Sequence, residues 1–389
     1  MSRPRSWQTK LIHTDATVPA GYQSLATPVF RGSTTVFPSS AAASDSWRQH
    51  EIGYTYGLHG TPTTLELAAR IAELEGGYRT FILPGGQSAL AAINFAFTSA
   101  GDHLLIPDSI YSPHRELARS LLQRFGVEAE FYPPSIGSGI ESLMRSNTRL
   151  VWCESPGSIT MEVQDVPAIA EVAHRHGALV AMDNTYAAGV YFDAFAHGVD
   201  VATQALTKYV GGHSDLLLGT VTVRDKAGYE RVGSTLQLLG MAVSPDECSL
   251  ALRGMQTLAV RLEHLERSTL EVAQWLATRP EIERVLHPAL PSCPGHEFWR
   301  RDFTGSTSVF SVVFKREHRR MRVHAFIDAL DLFEVGWSWG GVTSLAVSVN
   351  PPRSATPRLT NSLVRFNIGL ETPADLIADL EHAFESLAH

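Results

Sequence analysis

An α/β fold is predicted for this 389-residue chain, with a large, mostly parallel sheet and a smaller C-terminal α+β domain. Short apolar strands alternate with helical patterns through the first two thirds of the chain, as in a parallel sheet covered on both faces. A long helical stretch follows at about residues 245–279, and further strands and helices come after it. We therefore expect an N-terminal arm at residues 1–57, a ligand-binding α/β domain at 58–254 and an α+β domain at 255–389.

The N-terminal arm is rich in Ser, Thr, Pro and Ala and has weak periodicity. Such a segment is expected to be extended and to pack on a partner subunit or on the rest of the chain. The first clear helix follows it, in TPTTLELAARIAELEGG. Thr63 or Thr64 can cap this helix, an apolar stripe runs along it, and Gly76 with Gly77 ends it.

Seven apolar runs after this helix are the predicted strands of the large sheet. In chain order they are TFILPGG, HLLIPD, EAEFYPP, RLVWCESP, ALVAMDNTY, VATQALTKY and LLLGTVTV. Helical patterns fall between some of them, in SALAAINFAFTSA, PHRELARSLLQRFG and VPAIAEVAHRHG. Ligands of such sheets bind at the carboxyl ends of the strands, so polar residues at those ends are candidates for a site.

The helical stretch at about residues 245–279 is predicted to lead into the smaller C-terminal domain. Strands are expected there near SVFSVVF, LAVSVN and LVRFNIGL, and helices near VHAFIDALDL and PADLIADLEHAFESLA. A mixture of this kind is typical of an α+β domain packed beside a larger one.

The composition argues against several classes of function. The chain is 44% hydrophobic and 19% charged, which is ordinary for a globular protein with ample core. Its formal net charge of -8 argues against nucleic acid or an anionic membrane surface as the main partner. The sequence has neither a run of about 20 apolar residues nor an apolar N-terminal signal segment, so a cytoplasmic protein is expected.

Cysteine and histidine usage predicts neither a disulfide framework nor a metal site. The three cysteines, Cys153, Cys248 and Cys293, are far apart and odd in number. Cys153 lies in the apolar run LVWCE and is expected to be a buried packing residue. The 16 histidines form no HExxH motif and no tight cluster with cysteine, so no metal is expected.

Lys208 is the main candidate for chemistry. It follows the apolar run VATQALT, where a buried strand leaves the sheet, and a Gly-Gly turn comes shortly after it. A lysine there is costly to desolvate unless it is neutral, paired or covalently used. A desolvated amine is also what Schiff-base chemistry with an aldehyde cofactor requires. The alternative is an ordinary solvated lysine.

Three other strand ends also deliver residues that suit a site. Gly86 and Gln87 follow TFILPG at the start of a helix, where free N–H groups can bind an anion, although an ordinary turn explains them equally well. Tyr111 follows the second strand and is either a stacking ring or a rim aromatic. Asp183 closes the run ALVAMD and needs a partner, either a cationic ring nitrogen or a helix N-terminus.

Together these positions fit a phosphorylated pyridine aldehyde, pyridoxal 5'-phosphate (PLP). It needs an anion cradle, a stacking ring, a carboxylate for its ring nitrogen and a lysine for its aldehyde. An amino-acid substrate also needs its carboxylate held, and Arg365 in LVRFNIGL can supply a bidentate clamp; a structural ion pair is the alternative. The rival class is a nucleotide-binding α/β protein, but no GxGxxG or GxxxxGK[ST] follows a strand.

Nearly the whole chain resembles the Cys/Met-metabolism family of fold-type I PLP-dependent enzymes, and within it the bacterial cystathionine beta-lyases. The motifs that carry the resemblance are YGLHGTPT, ELEGG, ESPGSITMEVQDVPAI, DNTYAAG, TKYVGGHSD, HPALPSCPGHEFWRRDFTGS, SWGG and VRFNIGLE. The resemblance implies the fold-type I architecture, PLP as cofactor and α,β-elimination of L-cystathionine. Alternatives within the family are a γ-lyase, a γ-synthase or a lyase of broader cysteine-S-conjugate specificity.

The resemblance also implies a role for each candidate residue. Lys208 would hold the cofactor aldehyde, Asp183 would pair with the pyridine nitrogen, and Tyr111 would stack on the ring within the catalytic centre. The remaining implied ligands are Gly86, Gln87 and Thr207 for the phosphate, Tyr56 for the phosphate of a neighbouring subunit, and Arg365, Ser338 and Trp339 for the substrate carboxylate.

The assembly implied by the resemblance is a homotetramer, a dimer of dimers, with each active site at a subunit interface. Three positions depart from the family pattern. Leu58 replaces the arginine of a YxR phosphate motif, Ala205 replaces a phosphate-binding serine of many relatives, and Leu236 lies near a distal-pocket tyrosine of some beta-lyases. Neutralisation of the phosphate and recognition of the far end of the substrate are therefore expected to differ.

Overall fold

Two β-sheets organise the chain, which a computed structural model describes at residues 6–12, 21, 24–318, 320–357 and 360–387. The first sheet contains seven strands and the second contains four. In chain order the strands are β1 (Arg79–Leu83), β2 (His103–Pro107), β3 (Glu128–Tyr132), β4 (Thr148–Glu154), β5 (Leu179–Asp183), β6 (Val201–Ala205), β7 (Gly219–Val223), β8 (Ile282–Leu286), β9 (Val309–Phe314), β10 (Leu345–Val349) and β11 (Leu363–Asn367).

Helices surround both sheets. They are α1 (Trp7–Ile12), α2 (Gln49–Ile52), α3 (Pro62–Glu75), α4 (Gly86–Phe97), α5 (Ser112–Glu116), α6 (Val166–Arg175), α7 (Lys226–Leu239), α8 (Pro245–Gln256), α9 (Leu258–Ala277), α10 (His296–Asp302), α11 (Arg320–Asp328) and α12 (Pro373–Glu385). A π-helical segment, Leu117–Leu122, continues α5, and short 3-10 turns lie at Ser40–Ala42, Gly57–His59 and Gly137–Leu143.

The strand order of the large sheet is β1-β7-β6-β5-β4-β2-β3. β7 runs antiparallel to both of its neighbours, and every pair from β6 to β3 is parallel. The prediction of a seven-stranded, mostly parallel sheet is confirmed. β7 can turn back beside β6 because their connection contains no helix, whereas parallel neighbours require a longer crossover.

Both faces of the large sheet are buried. In β4, Leu150 and Trp152 pack into the core that contains α4, whereas Val151 and Cys153 pack into the core that contains α6. Burial on both faces explains why the strand sequences are continuous apolar runs. Cys153 is buried with a free thiol, in agreement with its predicted packing role.

The small sheet is antiparallel throughout, in the order β10-β11-β9-β8. The core on this sheet also contains residues of α9, α11 and α12. Its strands β9, β10 and β11 were predicted, but β8 was not. The sequence of β8, IERVL, is short and carries two charges, so it lacks the apolar character of its neighbours.

The helix α3 begins at Pro62, directly after Thr61, so the predicted caps Thr63 and Thr64 lie inside the helix.

Several helical regions differ from the prediction, and the short helices α1, α2 and α10 were not predicted. The stretch at residues 245–279 is two helices, α8 and α9, which meet at Thr257 with φ −107° and ψ 5°. The helix α7 was missed, because its two glycines lower helix propensity and its apolar stripe is weak. Tertiary packing stabilises α7, since Tyr229 and Val232 lie in the core of the large sheet.

The predicted N-terminal arm is described only in part, because residues 1–5, 13–20, 22 and 23 lie outside the described residues. The described part is anchored on its own chain. The Phe30 N–H donates to the Thr63 hydroxyl at 2.8 Å, and the Trp47 ring packs against that of Tyr229. Contact between the arm and a partner subunit stays a prediction, as do the domain boundaries.

Candidate active site

A cavity of about 870 Å³ opens at the carboxyl ends of the parallel strands and is lined by residues of both sheets. Its volume is typical of a ligand pocket. Tyr56 lies outside the lining, just before the turn Gly57–His59, and is about half exposed. The other nine predicted site residues line the cavity, namely Lys208, Tyr111, Asp183, Gly86, Gln87, Thr207, Arg365, Ser338 and Trp339.

Lys208 lies in the turn after β6, and its amine is held inside the cavity. The Nζ atom donates to Ser338 Oγ at 2.6 Å and lies 5.2 Å from the centroid of the Trp339 ring. Burial, and next the positive charge of Arg365, lowers the pKa of Lys208 to about 8, although Asp183 opposes the shift. A substantial fraction of the amine is therefore neutral near pH 8, which is the form that attacks an aldehyde.

Asp183 ends β5, where the sheet presents its carboxylate to the cavity. The Oδ1 atom accepts hydrogen bonds from the Thr185 N–H at 3.0 Å and from the Thr185 hydroxyl at 2.5 Å. Within the described part of the chain, no donor reaches Oδ2. Burial raises the pKa of Asp183, while the Thr185 hydrogen bonds and the charge of Lys208 oppose that shift. The free oxygen suits a ligand N–H that carries positive charge.

The N-terminus of α4 lies at one end of the cavity. Gly85 has a φ of 132°, which L-residues rarely adopt, and a Cβ on Gly86 would lie 2.9 Å from the Cβ of Ala205. Both glycines are therefore required by the backbone path. No side chain caps α4, so the N–H groups of its first turn remain available to an anion such as phosphate.

Thr207 and Gln87 lie at the same end. The Thr207 hydroxyl exchanges hydrogen bonds with the backbone of Leu218, at 3.2 Å to its oxygen and 3.2 Å from its nitrogen. Gln87 donates through Nε2 to the carbonyl oxygen of Pro113 at 3.1 Å, but its Oε1 is buried with no partner among the residues described. A buried amide oxygen without a donor is unusual and fits a position next to a bound ligand.

Arg365 projects from β11 on the side of the small sheet. It is buried, donates through Nη2 to the carbonyl oxygen of Ser338 at 3.1 Å, and lies 5.6 Å from the centroid of the Trp337 ring. No carboxylate of the described chain forms a salt bridge with it. Burial lowers its pKa to about 10, so the guanidinium stays charged at neutral pH. A buried cation of this kind favours an anionic ligand over a structural ion pair.

Glu154 is a cavity residue that the sequence analysis missed. It ends β4 directly beside Asp183, and its Oε2 accepts the backbone N–H of Tyr111 at 2.7 Å. Burial, and next the charge of Asp183, raises the pKa of Glu154 well above its ordinary value. The signal was present in the sequence, because LVWCE ends an apolar run in a carboxylate just as ALVAMD does.

Tyr111 immediately precedes α5, and Glu154 fixes its backbone. Burial raises the pKa of its phenol, as do the charges of Asp183 and Glu154, while Arg365 opposes them. The phenol therefore stays protonated at neutral pH and offers the cavity a ring face and a hydroxyl donor. Trp337, also missed from the sequence, lies in the loop GWSWGG, where nothing distinguishes it from Trp339.

The positions that depart from the family pattern do not all lie in the large cavity. Ala205 lines it, whereas Leu58 and Leu236 line a second, smaller cavity of about 60 Å³ together with Trp47 and Met241. In one chain, therefore, the two leucines line the same small cavity, and Lys208 does not line it.

The polar groups that line the large cavity include one amine, two guanidinium groups, two carboxylates and several hydroxyls. They suit an organic ligand that carries both anionic groups and a cationic N–H. In the described ranges, no three His, Cys, Asp or Glu side chains are grouped so that they could hold a metal ion. None of the helices there combines the length and the apolar character needed to cross a membrane.

Comparisons with known proteins agree with this arrangement. The family model for Cys/Met metabolism PLP-dependent enzymes matches residues 8–385. Cystathionine beta-lyase MetC of Escherichia coli is 40% identical over 363 residues, which cover 91% of this chain and 92% of that protein. Cystathionine beta-lyase of Salmonella typhimurium is 38% identical over 385 residues, 97% of each chain. The crystal structure of metB from Corynebacterium glutamicum has a TM-score of 0.91 and 27% identity, and 98% of both chains is covered.

Proposed function

We propose, since this chain belongs to the Cys/Met metabolism family of PLP-dependent enzymes, that it is a carbon–sulfur lyase acting by α,β-elimination on L-cystathionine. The products would be homocysteine, pyruvate and ammonia, as in methionine biosynthesis. The observation that carries this proposal is that Lys208, Asp183 and Arg365 line one cavity in a chain 38–40% identical to two cystathionine beta-lyases.

The residues of the cavity fit PLP. When bound, PLP supplies an electron sink that stabilises negative charge at Cα of an amino acid. The free Oδ2 of Asp183 would accept the pyridine N–H, and the uncapped first turn of α4 would hold the phosphate. The neutral amine of Lys208 would bind the aldehyde. Tyr111 would offer its ring face to the pyridine.

Arg365 and Lys208 would act on the substrate. Arg365 would hold the substrate carboxylate in a bidentate clamp, with Ser338 and Trp339 beside it. Once the amino group of the substrate has displaced it from the aldehyde, the free amine of Lys208 would remove the Cα proton and then deliver a proton to the leaving sulfur. A pKa of about 8 suits both steps, because an amine near its pKa can accept a proton and return it. Ser338 would orient the amine through its 2.6 Å contact.

The alternatives within the family are a γ-lyase, a γ-synthase and a broader cysteine-S-conjugate beta-lyase. Cleavage of the Cβ–S bond needs only a proton donor at sulfur, whereas reaction at the γ-carbon needs a second deprotonation at Cβ. Residue types do not separate these reactions, and the resemblance of ESPGSITMEV and SWGG to the beta-lyase forms favours β-elimination.

Analysis of the keto acids tests the proposal. Purified protein incubated with PLP and L-cystathionine alone should give pyruvate and homocysteine in equal amounts, with 2-oxobutyrate and cysteine as minor products at most. Chromatography of the keto acids measures the ratio, and Lys208→Ala serves as the inactive control. An excess of 2-oxobutyrate would assign the protein to γ-elimination.

The family relationship also supports a cytoplasmic homotetramer made of two dimers, with a small amino acid as its substrate partner. Tyr56 would then reach the phosphate in a neighbouring subunit, which agrees with its exposure outside its own cavity. Leu58 brings no positive charge to that position, so phosphate binding would depend on the N-terminus of α4.

A further inference from the structure

Residues 350–357, which follow β10, form a segment that we call the strap. Its first residues, Asn350 and Pro351, line the large cavity together with Ser348 and Val349 of β10. The strap therefore forms part of the cavity wall on the side of the small sheet. Tyr111 and the start of α5 line the same cavity from the large sheet.

Asp108 lies where the strap meets the large sheet. It follows β2 directly, three residues before Tyr111, and its side chain is fully buried. The carboxylate accepts the N–H of Ser354 at 2.9 Å and the N–H of Thr356 at 2.9 Å. It also accepts the Thr356 hydroxyl at 2.6 Å and the Ser354 hydroxyl at 3.1 Å. One carboxylate thus binds two residues of the strap.

Asp108 is at the same time bound to the helix that Tyr111 precedes. Arg115 in α5 donates through Nη2 to Asp108 Oδ1 at 2.5 Å and to the Asp108 carbonyl oxygen at 3.0 Å. Arg115 also donates through Nη1 to the Ser354 hydroxyl at 2.8 Å. Burial alone would raise the pKa of Asp108, but hydrogen bonds from Thr356, Ser354 and Arg115 hold it at about 2. The contact therefore persists as a charged one at all physiological pH values.

A second contact supports the middle of the strap. Arg353 is buried and donates through Nη2 to the Thr160 hydroxyl and, at 2.7 Å, to Glu162 Oε1. Thr160 and Glu162 belong to the segment that follows β4. The strap is therefore also held by an ion pair with that segment.

The segment after β4 is in turn joined to the turn that carries Tyr111. Its Ser158 N–H donates to the Ser109 carbonyl oxygen at 3.0 Å, and a Cβ on Gly157 would clash with the Ser109 side chain. Ser109 is the residue that directly follows Asp108. The strap is thus fixed to the Tyr111 turn directly, through Asp108, and indirectly, through the second contact.

We propose that Asp108 is a positioning residue for substrate binding, which couples the Tyr111 turn to the strap and so sets the separation of two cavity walls. It does not line the cavity, and its effect passes through Tyr111 on one side and through Asn350 and Pro351 on the other. Loss of this coupling weakens binding of the substrate and of the transition state by the same amount. KM therefore rises, while kcat, which depends on the difference between the two, stays largely unchanged. The kinetic part of this proposal rests on the proposed lyase function.

Asp108→Asn tests the coupling. Both carboxylate oxygens of Asp108 accept hydrogen bonds, whereas the NH2 group of asparagine can only donate, so the variant loses the hydrogen bonds at one of the two positions. Hydrogen exchange of cofactor-free protein, followed by mass spectrometry, should show about tenfold faster exchange of the Ser354 and Thr356 amides. With saturating PLP, KM for L-cystathionine should rise about tenfold and kcat should change less than about twofold.

The matched control is Asp379→Asn. Asp379 is a buried carboxylate in α12 that accepts the N–H groups of Asp331 and Leu332 at 2.8 and 2.9 Å, and it does not line the cavity. This variant should lose stability without a change in strap exchange or in KM. Thr356→Val removes one donor and leaves no buried charge uncompensated, so it should raise KM by about threefold even if Asp108→Asn does not fold.

Three results would overturn the proposal. The first is that the strap of Asp108→Asn exchanges its amide hydrogens at the wild-type rate. The second is that KM rises no more in Asp108→Asn than in Asp379→Asn. The third is that Asp108→Asn and Thr356→Val lose thermal stability while their KM stays unchanged. Failure of the proposed function looks different, because wild-type protein would then yield no pyruvate while the exchange comparison would still decide whether Asp108 holds the strap.

Discussion

At the scale of single residues, the cavity separates opposite charges. Lys208 donates to the neutral hydroxyl of Ser338, and Asp183 accepts from Thr185, so neither is neutralised by a direct contact with the other. Burial then acts on each group, lowering the pKa of Lys208 and raising the pKa values of Asp183 and Glu154. The carboxylate of Asp183 therefore suits a ligand with a cationic N–H, and the amine of Lys208 suits a ligand with an electrophilic carbon.

The reactivity of Lys208 should follow its lowered pKa. A lysine with a pKa of about 8 becomes neutral as the pH rises through 8, whereas an ordinary lysine needs a pH above about 10. Acylation of cofactor-free protein with a short pulse of acetic anhydride should therefore label Lys208 with a midpoint near pH 8. Mass spectrometry of the peptide that contains Lys208 gives the midpoint.

Arg365→Met supplies the control for this measurement. The positive charge of Arg365 lowers the Lys208 pKa, so its removal should move the labelling midpoint upward. A midpoint that stays above about pH 10, the ordinary range for lysine, in the wild-type protein would contradict the assignment of Lys208 as a desolvated amine.

At the scale of elements, α9 fixes the turn that carries Lys208. Arg261, near the start of α9, donates to the carbonyl oxygen of Tyr209 at 2.6 Å and to that of Gly254 at 2.8 Å. A Cβ on Gly212 would clash with the Arg261 guanidinium, so the Gly-Gly turn allows this side chain to approach the backbone. The turn after β6 and the junction of α8 with α9 are therefore joined through one side chain.

Arg261→Met should destabilise the protein by about 2–4 kcal/mol, because it leaves buried carbonyl oxygens without donors while it keeps the apolar stem. Burial lowers the pKa of Arg261 to about 10, so the lost donor is a charged one at neutral pH. Urea unfolding of cofactor-free protein measures the change. Arg253→Met, at an exposed position of α8, is the control and should change stability by less than about 0.5 kcal/mol. Equal midpoints for the two variants would exclude this role of Arg261.

At the scale of the whole molecule, large apolar side chains are exposed on the N-terminal arm and at the end of α7. Val36 and Leu238 are 90% and 88% exposed. An apolar side chain that is this exposed gains free energy when a second subunit removes it from water. The implied dimer of dimers would bury such side chains. The described contacts between the arm and its own chain leave Val36 exposed.

Substitution of both residues by aspartate should therefore weaken self-association. Sedimentation velocity at micromolar concentration should show wild-type protein as a dimer or a tetramer and the double variant Val36→Asp, Leu238→Asp as a smaller species. Met321→Asp is the control, since Met321 is an exposed apolar residue of α11, distant in sequence from both positions. A fully active wild-type monomer would contradict a site shared between subunits.

The architecture was predictable because its signals are local. Each strand of the large sheet is a short apolar run, and the same strand ends that suggested Lys208, Asp183 and Tyr111 do line one cavity. Their individual roles stay predictions. The helix α7 and the strand β8 were missed because their sequences have weak periodicity and their stability comes from packing against distant parts of the chain.

The sequence by itself determined the fold class, the family and the set of residues that suit PLP, since these depend on residue types at strand ends and on long motifs. Only the tertiary structure decided that Lys208 contacts Ser338, that Arg365 has no carboxylate partner among the described residues, and that Asp108 holds the strap. The contact of Lys208 with Ser338 and that of Asp108 with Ser354 join residues that are 130 and 246 positions apart in the sequence. Local periodicity carries no information about them, because their geometry follows from how the two sheets pack together.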